Sequence, residues 1–250
     1  MIIWITGASS GIGLETARQY AKAGHTVLAT ARNENALLEL SARSEAFDGQ
    51  IMPYPADVTK VRSMKAVYDK MVEQYGVPDK VILNAGTHKP TSAKKFKLTD
   101  HKKLMDINYG GVLNGLDLIL PDFIDRGSGQ IAVVSSVAGY VGLPFAGAYG
   151  ASKAALINLC ESMKAELADH GVDLRIVNPG FVKTPLTDLN KFEMPFLMPV
   201  EEAVKAMIKG LDQGASFEIT FPSRMAWIMK FLRLLPYALF IPITRKIYKG

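Results

Sequence analysis

Short runs of β-branched and aliphatic residues alternate along the chain with longer stretches whose apolar positions recur every three to four residues. The short runs predict strands near residues 2–6, 26–30, 51–55, 80–83, 130–134, 173–177 and 217–220. The longer stretches predict helices starting near Gly11, Asn33, Lys60, Thr99, Ala148 and Pro199. Parallel strands need crossovers of a dozen or more residues, and such crossovers are right-handed, which puts helices on both faces of the sheet. The expected architecture is one doubly wound, Rossmann-like α/β domain over residues 1–221, built on a seven-stranded parallel sheet, with a separate tail over residues 222–250.

Composition sharpens this in a few places. At 250 residues, 48% hydrophobic and 21% charged, the chain can bury the core of one such domain, and disorder or a fibrous fold is excluded. The one cysteine, Cys160, rules out an intramolecular disulfide and fits a reducing, cytoplasmic compartment. A first strand starting at Ile2 leaves no room for a secretory signal before it. The net charge of +5 is uneven: residues 222–250 hold six basic and no acidic side chains, so the body is near neutral and no nucleic-acid surface is expected. His25, His88, His101 and His170 are scattered without ligand spacing, and no metal site is expected.

Two places carry chemistry. The first strand runs into a turn with Gly7, Ser9, Ser10, Gly11, Ile12 and Gly13 ahead of a helix. Glycines there let backbone N–H groups and the positive helix end approach a pyrophosphate, although the spacing is G-x-x-x-G-x-G rather than G-x-G-x-x-G. Further on, Tyr149 and Lys153 stand four residues apart and share a helix face. An ammonium so close to a phenol favours the phenolate, as does a neighbouring oxidised nicotinamide. Bringing tyrosine from about pH 10 to about 7 takes roughly 4 kcal/mol of differential stabilisation. Taken alone, the pair also reads as a core tyrosine beside a solvated lysine.

Together these residues resemble the short-chain dehydrogenase/reductase family. Thr6 to Gly13 match its T-G-x-x-x-G-x-G turn and Tyr149 to Lys153 its Y-x-x-x-K; Asn84, Ala85 and Gly86 match the N-A-G after the fourth strand. Ser136 falls at the catalytic serine position, Asn108 at the helical asparagine of the tetrad, and Pro179, Gly180 and Thr184, with Val182 among them, at the P-G-x-x-x-T near the nicotinamide. The resemblance implies hydride transfer between NADP(H) and a carbonyl or alcohol, with Tyr149 as general acid/base and Ser136 steadying the substrate oxygen. Lys153 then binds the nicotinamide ribose, and Asn108 holds a water that relays protons. A homodimer or homotetramer is also implied. A cofactor-binding sensor or scaffold without turnover is the alternative, and it has no use for the full tetrad.

Cofactor choice rests on the end of the second strand. Ala31 stands where the NAD-selective aspartate of the family falls, and Arg32 after it can grip a 2′-phosphate, so NADP(H) is expected over NAD(H). Asp57 and Val58 resemble the adenine-contacting pair, though Asp57 could equally cap the next turn.

The loop at residues 185–200 holds Leu186, Leu189, Phe192, Met194, Phe196, Leu197 and Met198, which either cover a lipophilic small-molecule substrate or pack as ordinary core. In the tail, basic residues are mixed with aromatic and aliphatic ones, and Pro236 and Pro242 interrupt it. That pattern suits peripheral contact with a membrane, or packing on the pocket or on another subunit.

Overall fold

The computed structural model describes residues 1–189 and 193–249. Seven parallel strands, β1 (Ile2–Thr6), β2 (Thr26–Thr30), β3 (Gln50–Pro53), β4 (Lys80–Leu83), β5 (Gly129–Val134), β6 (Val172–Pro179) and β7 (Glu218–Phe221), form one sheet in the order β3-β2-β1-β4-β5-β6-β7. The expected strands are all present, with ends displaced by up to two residues. The direction of winding reverses between β1 and β4, which opens a crevice at the carboxyl ends of the strands.

Alternate side chains of each strand feed two cores, as the two-residue repeat of a strand requires. Trp4, Leu28, Val81, Ile131 and Leu174 lie in register across the sheet and face α3 (Val61–Tyr75), α5 (Gly111–Arg126), α6 (Gly147–Asp169) and α8 (Ser223–Leu234). Ile3, Val27, Ile51, Ile82 and Ala132 face α1 (Gly11–Lys22), α2 (Glu34–Arg43) and α7 (Val200–Gln213) on the other side. Buried on both faces, these strands are almost continuously apolar.

Between β4 and β5 the chain departs from the expected single helix start near Thr99. α4 (Leu98–Met105) passes through a π-helical turn, Asp106–Gly110, into α5. The extra residue in the π turn rotates the two helices' faces relative to one another, so no single apolar period spans both, and Pro121 inside α5 reads as a break. After β7 the chain forms α8 and α9 (Tyr237–Lys249). Among the described residues, no helix is long and apolar enough to cross a membrane.

Candidate active site

The turn after β1 is held by its neighbours. Gly7, at φ +71°, donates its N–H to Thr30 O (2.7 Å), while Thr6 Oγ1 accepts from the N–H groups of Asn84 (3.0 Å) and Ala85 (3.1 Å). The Asn84 amide donates back to Thr6 O at 3.1 Å, so Asn84 locks the ends of β1 and β4 together. A methyl group on Gly7 would lie 2.7 Å from Ala85 Cα, which explains the glycine. α1 then starts with a bare amino end. Its first N–H groups have no intrahelical partner, and the Ser10 side chain does not cap them.

That helix end faces a cleft of about 440 Å³, within the usual range for a cofactor site. Every residue expected to touch the cofactor or the reacting groups lines this cleft, except Gly13 and Asn108. Arg32, exposed after β2, borders it, and Asp57 lies near that guanidinium. Burial pushes the Asp57 carboxyl up, but its bonds from the Thr59 N–H (3.0 Å) and hydroxyl (2.8 Å), with Arg32 and Lys60, hold it below the usual range. One Asp57 oxygen therefore does cap a turn, as its alternative reading had it.

On the opposite wall stand Ser136, Tyr149 and Lys153. Ser136 Oγ donates to Pro179 O (3.3 Å), accepts from Ala138 N–H (3.1 Å) and is a hydrogen-bond partner of Tyr149. Lys153 Nζ lies 5.7 Å from the centre of the Tyr149 ring and donates to Val134 O at 2.8 Å. Burial lowers the Lys153 pKa to about 8 and raises that of Tyr149, the latter opposed by the Ser136 bond. In the protein alone burial thus dominates at Tyr149, and the group that opposes it is Ser136 rather than Lys153.

A family model described as short chain dehydrogenase matches residues 1–193. The chain is a short-chain dehydrogenase. It is 35% identical over 243 residues to an uncharacterized oxidoreductase of Myxococcus xanthus, covering 97% of this chain and 96% of that one. It is also 35% identical to the 3-oxoacyl-[acyl-carrier-protein] reductase of Thermotoga maritima, over 74% of this chain and 75% of that one. A short-chain dehydrogenase from Sphingobium yanoikuyae, solved in complex with NADPH, superposes with a TM-score of 0.81 at 27% identity, over 88% of this chain and 87% of that one. As a member of this family the chain is an oxidoreductase acting on carbonyl or alcohol groups.

In this short-chain dehydrogenase Asn108 sits behind the cleft, fully buried on the π turn. Its amide donates to Thr87 O (3.0 Å) and Ser152 Oγ (2.9 Å), and its oxygen accepts from Thr87 N–H (2.7 Å). Both donors are spent, so only a lone pair on Oδ1 remains for the expected water. Gly86 separates Asn108 from Lys153, since a methyl there would lie 3.4 Å from Asn108 Oδ1 and 3.6 Å from Lys153 Nζ. Gly13 is placed by packing: a methyl would lie 2.3 Å from Gly7 O.

Several site residues escape the sequence reading. Thr87 and Ile107 line the cleft, Ser135 holds Lys153 O at 2.8 Å, and His88 packs edge-on against Tyr149 with ring centres 4.8 Å apart. Position directly after the β4 N-A-G is the signal that could have found Thr87 and His88, because such residues fall in the crevice at the switch point. Of the apolar loop, Leu186 lines the cleft, whereas Met198 bridges to Val182 and packs on the core beside α7; Phe192 and the Leu189 side chain lie outside the described residues.

Proposed function

We propose that the protein transfers hydride between NADP(H) and the carbonyl or alcohol of a lipophilic small molecule. The observation that carries this reading is that Ser136, Tyr149 and Lys153 line the same cleft as the uncapped amino end of α1. The residues present fit a dinucleotide: unpaired helix N–H groups suit its pyrophosphate, and Arg32 suits a 2′-phosphate with no acid at Ala31 to repel it. When bound, the nicotinamide supplies or accepts the hydride. Tyr149 moves a proton to or from the substrate oxygen, as general acid in reduction and general base in oxidation. Ser136 turns its single O–H from Pro179 O to that oxygen and donates to it as negative charge grows there. Lys153 binds the ribose through its ammonium and biases the Tyr149 phenol towards the phenolate. Asn108, through Thr87 and Ser152, fixes the floor beneath them.

A lipophilic substrate is supported by Leu186 in the cleft wall and by the exposed Phe145 and Phe196 in the two loops beside it. The proposal extends to a cytoplasmic homodimer or homotetramer, in which the segment after Phe221 makes peripheral contact with a membrane or packs on the pocket or on another subunit.

The test is NADPH oxidation against a panel of aldehydes, ketones, quinones and acyl thioesters, beside Tyr149→Phe and Arg32→Ala. Turnover is expected with NADPH preferred over NADH, a loss of at least about a hundredfold in Tyr149→Phe, and a KM for NADPH raised about tenfold or more in Arg32→Ala. A substrate turned over equally by Tyr149→Phe contradicts the mechanism. Equal efficiency with both cofactors removes Arg32 from selectivity, and tight NADPH binding without turnover of any carbonyl leaves a sensor.

A further inference from the structure

Beyond β7 the chain offers a surface for which the cleft has no use. α8 is anchored to the core by Met225, Ala226 and Met229, and α9 has Phe240 and Thr244, one turn apart, on its buried side. The outward side of α8 is apolar as well: Trp227, Phe231 and Leu234 recur at helical spacing and are 73%, 62% and 81% exposed, beside the exposed Ile228. α9 adds Tyr237, 82% exposed, with Leu239 and Ile241 also turned to solvent. A helix on the surface of a globular protein ordinarily faces its apolar stripe inward and its polar residues outward. Here the larger apolar stripe faces outward, and exposed apolar surface on this scale marks a contact with another body.

Charge decides which body. Arg224, Arg245 and Lys246 are exposed on the same two helices, and no Asp or Glu follows Glu218 in the chain. The other described cations of α8 face acids of the body: Lys230 pairs with Glu218, and Arg233 lines a hollow with Glu161 and Glu218. A second copy of the chain is a poor occupant, because a two-fold contact lays a patch on itself and would set Arg224, Arg245 and Lys246 against one another with no acid on either helix to pair them. We propose that α8 and α9 dock the protein on the surface of an anionic lipid bilayer. Trp227, Phe231, Leu234 and Tyr237 enter the boundary between headgroups and acyl chains, and Arg224, Arg245 and Lys246 meet lipid phosphates. The buried side of the start of α8 packs behind the cleft, since a methyl on Gly180 would lie 3.1 Å from Pro222 Cδ and 3.3 Å from Met225 Cγ. The inference rests on the reading of the tail as a peripheral membrane contact, and it is independent of turnover.

The full chain is sedimented with vesicles of phosphatidylcholine alone or mixed with phosphatidylglycerol, at low salt and at about 0.5 M salt, with light scattering and turnover measured on the same samples. Binding to the mixed vesicles is expected, about tenfold or more weaker on neutral vesicles and at high salt. The variant Trp227→Ser/Phe231→Ser should lose it with an unchanged Tm, and Arg224→Glu/Lys246→Glu should lose it through charge alone. Failure of the folded wild type to bind mixed vesicles overturns the proposal. So does a wild-type dimer that binds no lipid and that Trp227→Ser/Phe231→Ser converts to monomers, in which case the face joins two copies. An active protein that ignores vesicles overturns the docking alone; an inactive protein that binds them overturns only the catalytic reading.

Discussion

At the scale of single residues, the wall of the cleft turns on what burial does to Lys153. Its ammonium keeps one hydrogen bond, to Val134 O, in place of a full water shell, and burial brings its pKa down from 10.5 to about 8. An unfolded lysine holds its proton to about 10.4, so between about 8 and that point the folded chain binds fewer protons than the unfolded one. The buried charge therefore weighs against stability at neutral pH, and this burden lifts as pH rises through that window. If the ammonium grips the cofactor, affinity must move the opposite way. NADPH titration by fluorescence should show binding weakening as pH rises through about 8, by up to about tenfold per pH unit, with the dependence gone in Lys153→Met. Wild-type affinity that stays flat up to about pH 9.5 would take the ammonium out of cofactor binding.

At the scale of elements, the β1-to-α1 turn works because two backbones and a side chain pass within contact distance of one another. A methyl on Gly13 would lie 2.3 Å from Gly7 O and 2.5 Å from Asn84 Nδ2, and neither backbone nor the clamped amide can yield cheaply. Gly13→Ala should therefore cost about 1–3 kcal/mol, visible as a Tm lowered by several degrees, and should weaken NADPH binding by opening the turn. Gly142→Ala, where nothing lies within 4 Å, is the matched control and should leave both unchanged. This turn was legible in the sequence because glycine spacing and the preceding strand are local signals, and the strands were legible because each has a short β-branched or aliphatic run, nearly unbroken in β1 and β4 and interrupted by polar residues in β6 and β7. The π turn was not, since it is defined by a hydrogen-bond shift that no residue pattern marks, and with it went the start of α5. His88 and Thr87 were missed for a related reason: their contacts with Tyr149 and Asn108 cross more than twenty residues of chain and exist only once β4 and the helices after it have packed. The outward-facing stripe of α8 was visible as composition only, because which side of that helix is buried depends on its contact with β7 and the core.

At the scale of the whole molecule, the tail and Ser136 are joined through one carboxylate. Glu218, on the outermost strand β7, accepts hydrogen bonds from Tyr140, from Asn178 Nδ2 at 2.8 Å and from Lys230 of α8. Tyr140 lies four residues after Ser136, and Asn178 precedes Pro179, whose carbonyl accepts from Ser136 Oγ. One acid thus holds both flanks of Ser136, and Lys230 ties α8 to the same point. Burial pushes the Glu218 carboxyl up, yet the bonds from Lys230, Tyr140 and Asn178 win and hold it below its ordinary value. Its contribution to stability is accordingly present above the ordinary carboxylate range and fades as pH falls through the folded value. Glu218→Ala leaves two buried donors, Tyr140 and Asn178, without their acceptor, which should destabilise the fold by about 2 kcal/mol or more and lower kcat about tenfold by loosening Ser136, with KM for NADPH little changed. Glu218→Gln, which keeps an acceptor for Tyr140 but no charge for Lys230, should recover most of kcat, and its Tm deficit against the wild type should shrink as the pH is taken below about 4. A Glu218→Ala protein with wild-type kcat would mean that Ser136 is held by Pro179 and Ala138 alone. The carboxylate would then be only a brace between β7 and α8, with no bearing on the proton transfer beside it.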